Sequence, residues 1–249
     1  MHEVGRIVPD ATNGPQEGPE AGPEGDRTGS KAEGEPASAA RWHTFATVVL
    51  TRVSSPPEDL HHAFNKNQIA SKQWLLDRVH AVLGGRFGTV VVLGGWHGVL
   101  AAMLLADRRF SLGRVISVDL DPRCVPVAEQ INCRALAERR FAALCADACA
   151  LDYGALELRP AAASGPGAPP GLVINTSCEH MPESEAWYDR VPRGVFQVYQ
   201  SNDYFDCPEH VNCVPDLEAF KKQIPMTRIL YEGVLPRRRY RRFMLIGRK

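Results

Sequence analysis

Residues 89–98 read TVVVLGGWHG, and this stretch decides the fold. Its first half is a continuous run of β-branched and aliphatic residues, which is typical of a strand buried on both faces of a parallel sheet. Gly94, Gly95 and Gly98 follow at once, and the apolar run at 99–106 predicts a helix. A strand, a glycine-rich turn and a helix in this order predict the first unit of a doubly wound α/β domain.

Similar units continue on both sides of this stretch. A helical pattern at 68–83 ends at Gly84, and a second helix is predicted through Ala137. Further strands are predicted at 115–118, 141–145, 172–174, 195–199, 228–235 and 240–247. The last two runs are joined by Pro236-Arg237-Arg238-Arg239 and indicate a closing antiparallel strand pair. The sequence therefore predicts a Rossmann-like α/β fold, with a mostly parallel sheet and helices on both faces.

The composition fits one globular domain with an extension. The chain has 249 residues, of which 44% are hydrophobic and 23% charged, and this excludes a wholly disordered or fibrous protein. Residues 1–42 are rich in Gly, Pro and Glu and predict a disordered tail, which leaves 43–249 as the domain. The Pro- and Gly-rich stretch 159–171 predicts a low-complexity surface loop within that domain.

The sequence also predicts where the protein works. No apolar run approaches the ~20 residues of a membrane-spanning helix, so no membrane partner is expected. The N-terminus lacks the basic and apolar segments of a secretory signal. Seven cysteines without regular spacing indicate reduced thiols rather than a disulfide framework. A cytoplasmic location follows as the prediction, while the oligomeric state is left open.

Acidic residues follow the second and third predicted strands. Asp119 comes 21 residues after Gly98, close to the spacing of an acid that binds ribose hydroxyls. Asp121 is a competing candidate, although its place before Pro122 favours a helix cap. Asp147 follows the next strand, where it can meet an adenine amine or simply cap a turn. Together with the glycine turn, these acids predict a nucleoside pocket at the carboxyl ends of the strands.

Four stretches in series support a family resemblance. LGGWHG at 93–98, VDLDP at 118–122, ADA at 146–148 and VIN at 173–175 resemble the successive motifs of class I S-adenosylmethionine (SAM)-dependent methyltransferases. The chain also resembles a little-characterised branch with Gly-Gly-Trp/Tyr-x-Gly and the Asn-Thr-Ser-Cys-Glu-His of 175–180. The resemblance implies a seven-stranded sheet and SAM as the cofactor. The residues implied or proposed to bind SAM are Gly94, Gly95, Trp96, Gly98, Asp119, Asp147 and Asn175.

The acceptor motif of relatives that methylate amines is missing. Those relatives carry Asn/Asp-Pro-Pro-aromatic after the fourth strand, whereas this chain carries residues 175–180 there. Asn175, Glu179 and His180 become the candidate catalytic residues, because an amide can orient polar groups and His with Glu can take a proton. The alternatives are a strand-end turn for Asn175 and a surface role for His180. Tyr204 and Phe205, with Trp96, are candidates to line the sulfonium.

The residues also bear on two further kinds of partner, a metal ion and nucleic acid. The cysteines and histidines at 178–180 and 207–213 match no zinc spacing, so no metal is predicted. Residues 221–249 hold ten Lys and Arg against Glu232 alone, a pattern that fits a nucleic-acid surface or a solubilised hairpin. The zero net charge of the whole chain favours the solubilised hairpin over the nucleic-acid surface.

The leading prediction is a SAM-dependent methyltransferase that acts on a small polar molecule. One alternative is an enzyme of the same fold that uses the aminocarboxypropyl group of SAM, in transfer, cyclisation or lysis, and releases methylthioadenosine. Another is a protein that binds or methylates nucleic acid through the basic C-terminal hairpin. The missing Pro-Pro motif keeps the first alternative open.

Overall fold

The computed structural model describes residues 4–7, 44–165, 167–182 and 184–249. Its helices are α1 (44–50), α2 (Leu60–Ala63), α3 (Lys66–Leu83), α4 (Val99–Ala106), α5 (Cys124–Ile131), α6 (Cys133–Ala137), α7 (Ser184–Tyr188) and α8 (Leu217–Gln223). Its strands are β1 (Val4–Ile7), β2 (Arg86–Leu93), β3 (Ser111–Asp119), β4 (Phe141–Cys145), β5 (Leu172–Asn175), β6 (Phe196–Asn202), β7 (Arg228–Pro236) and β8 (Arg241–Arg248). Short 3-10 turns occur at Tyr153–Leu156, Ala161–Ala163 and Cys178–His180.

The strands form one mixed sheet in the order β1-β7-β8-β6-β5-β2-β3-β4. The five strands from β6 to β4 are parallel, and β8, β7 and β1 are added antiparallel. The chain moves outward from β2 to β4, then returns to place β5 on the other side of β2. The carboxyl ends of β2 and β5 thus form the topological switch point, where open α/β sheets bind ligands.

The predicted fold class is confirmed, with one added strand. Strands β2 to β8 provide the seven predicted strands, including the closing antiparallel pair. Residues 4–7, which the sequence analysis placed in the tail, pair with β7 from Tyr231 to Val234 as an eighth strand. The predicted disorder of 1–3 and 8–42 lies outside the described residues. The predicted loop 159–171 contains a 3-10 turn and a bridge between Gly165 and Ala168.

The two faces of the sheet carry separate hydrophobic clusters. Val90 and Val92 pack in one cluster with side chains of α3, α4 and α5, while Val91 and Leu93 pack in the other. This alternation explains why the β2 sequence is apolar without interruption: both of its faces are covered. Complete burial of a side chain of this size contributes about 1.5–3 kcal/mol to stability.

Two helix boundaries differ from the predictions. The helix predicted through Ala137 is interrupted at Asn132, whose buried amide donates to the carbonyls of Ala128 and Gly98. Helix α3 begins two residues before the predicted pattern and is capped by Asn65, which accepts from the Asn67 and Gln68 amides. In both cases an asparagine side chain competes for backbone groups, and sequence periodicity does not register this. Within the described part of the chain, no helix is long and apolar enough to cross a membrane.

Candidate functional site

The glycine turn lies at the switch point and is packed against its own sheet. Gly94 and Gly98 have φ values of 59° and 72°, in the left-handed region that favours glycine. A Cβ on Gly95 would overlap the hydroxyl of Ser117 on β3 and come within 3.2 Å of its Cβ. A Cβ on Gly98 would come within 2.9 Å of the Cβ of Ala128. The turn therefore needs glycine for close packing, whether or not a ligand is bound.

Asp119 holds the turn from the end of β3. Its carboxylate accepts the Trp96 amide at 2.7 Å and the Asp121 amide at 3.0 Å. Trp96 itself has a φ of 47°, so the first of these bonds fixes a strained backbone conformation. Each carboxylate oxygen can accept a second hydrogen bond, which leaves Asp119 acceptor capacity for a ribose diol.

Asp59, at the N-terminal end of α2, fixes the two aromatic rings of the turn. It accepts the Trp96 indole N–H at 3.1 Å and contacts Nε2 of His97 at 3.2 Å. Although burial raises its pKa, the hydrogen bond from Trp96 and the interactions with His97 leave the pKa of Asp59 below its usual value. Burial lowers the pKa of His97 against the attraction of Asp59. Asp59 was not predicted from the sequence, because it lies 37 residues before Trp96 and belongs to no motif.

The two other acids behave as caps. The exposed Asp147 accepts the Cys149 amide at 2.8 Å. Asp121 accepts the Arg123 amide and forms an ion pair of 2.6 Å with that side chain. The cap roles considered for these residues are thus present, while binding of adenine by Asp147 stays a prediction.

Asn175 ends β5 directly beside the end of β2. Its side chain is fully buried, accepts the Ser177 amide at 2.8 Å and contacts the Met181 sulfur at 3.2 Å. Ser177 in turn donates to the Gly94 carbonyl at 3.3 Å. Asn175 therefore positions the segment 176–181 against the glycine turn, which is the strand-end role weighed for it.

Glu179 is buried rather than exposed in a loop. Its Oε1 accepts from Asn202 at 2.6 Å and from Arg242 at 3.0 Å, and only 1% of the residue is accessible to solvent. Its Oε2 is also buried and has no hydrogen-bond partner among the described residues. Arg242 donates further to the Thr176 carbonyl at 3.2 Å. Strands β6 and β8 thus supply partners that lie 23 and 63 residues away in the sequence.

Lys72 brings a third buried charge to this edge of the sheet. It projects from α3, is 8% exposed and donates to Gln68 at 2.6 Å. Burial and the charge of Arg242 lower the pKa of Lys72 to about 7, against the opposing effect of Glu179. A lysine with this pKa exchanges protons near neutrality, and no sequence motif marks it as a titratable group of the site.

Replacing Lys72 is expected to change how stability depends on pH. Between pH 7 and about 10, Lys72 is protonated in the unfolded chain and deprotonated in the folded chain. The destabilisation of the folded state by Lys72 therefore decreases by up to about 1.4 kcal/mol for each unit that the pH rises. Lys72→Met should therefore stabilise the protein at pH 7 and progressively less towards pH 10. Urea unfolding from pH 6 to 10 measures this, with the exposed Lys222→Met as the control. A constant difference between Lys72→Met and the parent protein would contradict the assignment.

His180 and His210 form a ring pair beside Glu179. Their ring centroids are 4.6 Å apart and the rings are nearly perpendicular. Nδ1 of His180 lies 3.1 Å from the Glu209 carbonyl, and Nδ1 of His210 lies 2.9 Å from the Tyr204 carbonyl. Because a carbonyl only accepts, each contact is a hydrogen bond when Nδ1 carries the proton, and the corresponding neutral tautomer keeps its lone pair on Nε2. His210 is the second histidine of this pair and was not among the predicted site residues.

The remaining predicted residues lie around this region. The ring of Tyr204 stacks on Tyr240 at 5.6 Å and packs edge-to-face with His210 at 5.8 Å, while Phe205 is 60% exposed.

Two arginines of the basic C-terminal hairpin form ion pairs within the protein. Arg241 pairs with Asp203 at 2.7 Å, and Arg242 is buried against Glu179. Arg242 is therefore withdrawn from any nucleic-acid surface on that hairpin.

Comparison with known proteins gives similarity in structure alone. No protein-family model and no curated protein matches the sequence. The N-methyltransferase NodS from Bradyrhizobium japonicum WM9, in complex with S-adenosyl-L-homocysteine, shares 10% identity and a TM-score of 0.55 over 82% of this chain and 99% of its own. The magnesium protoporphyrin IX methyltransferase ChlM from Synechocystis PCC 6803, with bound SAH, shares 15% identity and a TM-score of 0.53, covering 86% and 95%.

A third similar structure is MtNAS in complex with MTA and tNA. It shares 13% identity and a TM-score of 0.50, and the match covers 88% of this chain and 78% of that one. These likenesses, together with the strand order and the closing antiparallel pair, identify the architecture. This chain has the fold of the class I SAM-dependent methyltransferases.

Proposed function

We propose that this protein is a SAM-dependent methyltransferase that acts on a small polar molecule. The observation that carries the proposal is the position of the glycine turn at the switch point, next to the acid that ends β3. The NodS and ChlM structures, which have this fold, both contain S-adenosyl-L-homocysteine (SAH). In the proposed complex, Gly94, Gly95 and Gly98 approach the methionine part, Asp119 the ribose and Asp147 the adenine.

The acceptor is proposed to bind beyond β5, at the ends of β6 and β8. Buried charged groups require partners, and Glu179 keeps one oxygen without any among the described residues. Such groups favour a small, polar acceptor over an apolar one. His180 and His210 provide the basic lone pairs, because each ring is held by Nδ1 with Nε2 free to take a proton. Asn175 and Glu179 then position these groups, since both are buried and bonded within the chain.

The products of SAM test the proposal and its main alternative. The purified protein is incubated with SAM alone and with a small-molecule cell extract, and both nucleoside products are followed by mass spectrometry. We expect S-adenosylhomocysteine only with extract. Methylthioadenosine from SAM alone would instead support attack on the aminocarboxypropyl carbon, in line with the MTA bound in MtNAS. Neither product, with no SAM binding by calorimetry, would refute the proposal.

A matched pair of variants tests the pocket. Asp119→Asn should weaken SAM binding by about tenfold or more, because an amide has only one acceptor oxygen for the Trp96 and Asp121 amides and the ribose. Asp121→Asn alters a carboxylate only two residues away that pairs with the exposed Arg123, and should change affinity little. Calorimetric titration with SAM measures both. Equal affinities of the two variants would contradict the role of Asp119.

A further inference from the structure

We infer that Glu179, His180 and His210 form a binding site for a divalent transition-metal ion. Each of these residues offers one donor atom, and the three donor atoms lie within 4.8 Å of one another. Donors of a tetrahedral zinc site with bonds of ~2.1 Å lie ~3.4 Å apart, so side-chain movements of about 1–1.5 Å would close the site. Two imidazoles and one carboxylate are a donor set that suits zinc, and it leaves a fourth position open.

The hydrogen bonds around the histidines support this assignment. In metal sites, a ligating histidine commonly donates its other ring N–H to a backbone carbonyl or a carboxylate, which fixes the tautomer and the direction of the lone pair. His180 and His210 both show this arrangement, through the Glu209 and Tyr204 carbonyls. With Nδ1 bonded to these carbonyls, Nε2 is the ring atom that would bind the metal.

The carboxylate provides an independent observation. Glu179 uses Oε1 for Asn202 and Arg242, whereas Oε2 is buried without a hydrogen-bond partner among the described residues. An unpartnered carboxylate oxygen is costly in a site that is 1% exposed, and a cation next to the histidines would satisfy it. The ion pair with Arg242 can persist, since it uses the other oxygen.

The two loops that carry the ligands are fixed to each other. The Asn212 amide donates to the Glu179 carbonyl at 2.9 Å, and the Asn212 side chain donates to the Met181 carbonyl at 2.8 Å. The donors from 179–180 and from 210 are thus held together before any ion binds. His180 is exposed at the rim, which gives an ion access from solvent. The cysteine spacing on which no metal was predicted does not enter this donor set.

The ion would lie on the proposed acceptor side of the sheet. Its open position can hold a hydroxyl, amine or carboxylate of the acceptor and lower the pKa of a bound proton donor. This use of the ion rests on the proposed function, whereas binding of the ion does not. With the ion bound, His180 and His210 act as ligands, and their lone pairs are no longer available as bases.

Zinc binding by the untagged full chain tests the site. The protein is dialysed against a chelator, its metal content is checked by mass spectrometry, and zinc chloride is titrated by calorimetry. We expect about one zinc ion per chain. His180→Gln and His210→Gln should each raise the Kd by roughly 100-fold or more, since loss of a mere supporting group costs 10–100-fold. Circular dichroism confirms that each variant is folded.

The matched controls separate this site from other histidines. His80→Gln changes an exposed histidine whose ring contacts Phe110, and should leave zinc affinity unchanged. The adjacent rings of His61 and His62, 3.9 Å apart, are the main competing site, so the double variant His61→Gln/His62→Gln should also bind normally. Loss of zinc binding in that variant, normal binding by His180→Gln/His210→Gln, or no binding by the parent protein would each overturn the inference.

The cobalt-substituted protein provides a second readout. Co²⁺ in a site of two imidazoles and a carboxylate should give visible absorption bands that His180→Gln and His210→Gln abolish. Zinc or cobalt binding without S-adenosylhomocysteine formation would refute methyl transfer and leave the metal site standing. S-adenosylhomocysteine formed by a protein that binds neither ion would refute the metal site alone.

Discussion

Gly95→Ala is expected to destabilise the protein by about 3 kcal/mol and to weaken SAM binding strongly. The new methyl group would overlap the Ser117 hydroxyl, and the Gly95 amide is tied to the Val118 carbonyl at 2.9 Å, so the turn cannot simply move away from β3. Overpacking of a well-packed site costs about 1–3 kcal/mol. Since the turn must shift to relieve the overlap, the positions of Trp96 and Gly98 shift as well, and with them the proposed ligand contacts.

A second substitution shows whether the overlap is the cause. Ser117→Ala removes the hydroxyl and leaves the Ser117 Cβ, 3.2 Å from the new methyl, as the nearest remaining atom. Gly95→Ala/Ser117→Ala should therefore be more stable than the sum of the single changes implies. Gly167→Ala is the control, because nothing lies within 4 Å of a Cβ there. Urea unfolding and SAM titration are measured for these four variants and the parent protein, and strict additivity would refute the packing explanation.

The parts of the fold that the sequence predicted are those encoded locally. The apolar run of β2 and the helix at 99–106 need only neighbouring residues to be recognised, and both match the structure. Asn132 breaks a helix that periodicity continues, because its amide binds the carbonyl of Gly98, 34 residues away. Residues 4–7 pair with β7, more than 220 residues later, and no local signal in a Gly- and Pro-rich context indicates such pairing.

The residues of the candidate site also fall into two groups: those that the local sequence indicates, and those whose surroundings depend on distant residues. Motif spacing found Asp119 and Asn175, since both residues follow strands directly. Glu179 is also a predicted site residue, but the sequence does not indicate its burial, because that burial depends on Asn202 and Arg242 from other strands. Lys72 was missed since its altered pKa arises from burial and from charges brought together by the fold. Nothing in the run of arginines at 237–242 indicates that one of them, Arg242, is buried.

Arg242→Met is expected to destabilise the protein by about 3–5 kcal/mol, the range measured when one partner of a buried ion pair is removed. Arg242 is 5% exposed and Glu179 is 1% exposed, so the carboxylate left behind has little access to water. Asn202 still donates to it, but the Thr176 carbonyl also loses its donor. Arg134→Met, which removes an exposed surface pair with Glu138, should cost less than about 1 kcal/mol.

The double variant Glu179→Gln/Arg242→Met distinguishes an unpaired charge from lost packing. If the buried negative charge is the main cost, neutralising Glu179 should recover much of the stability lost in Arg242→Met, because the side-chain amide oxygen that replaces the carboxylate can still accept from Asn202. If lost packing of the arginine side chain dominates, the double variant should be no more stable than Arg242→Met. Thermal and urea unfolding at pH 7 decide between these results. Recovery would also mean that Arg242 offsets the buried charge of Glu179 and holds this side chain in place, as both the proposed acceptor site and the proposed metal site require.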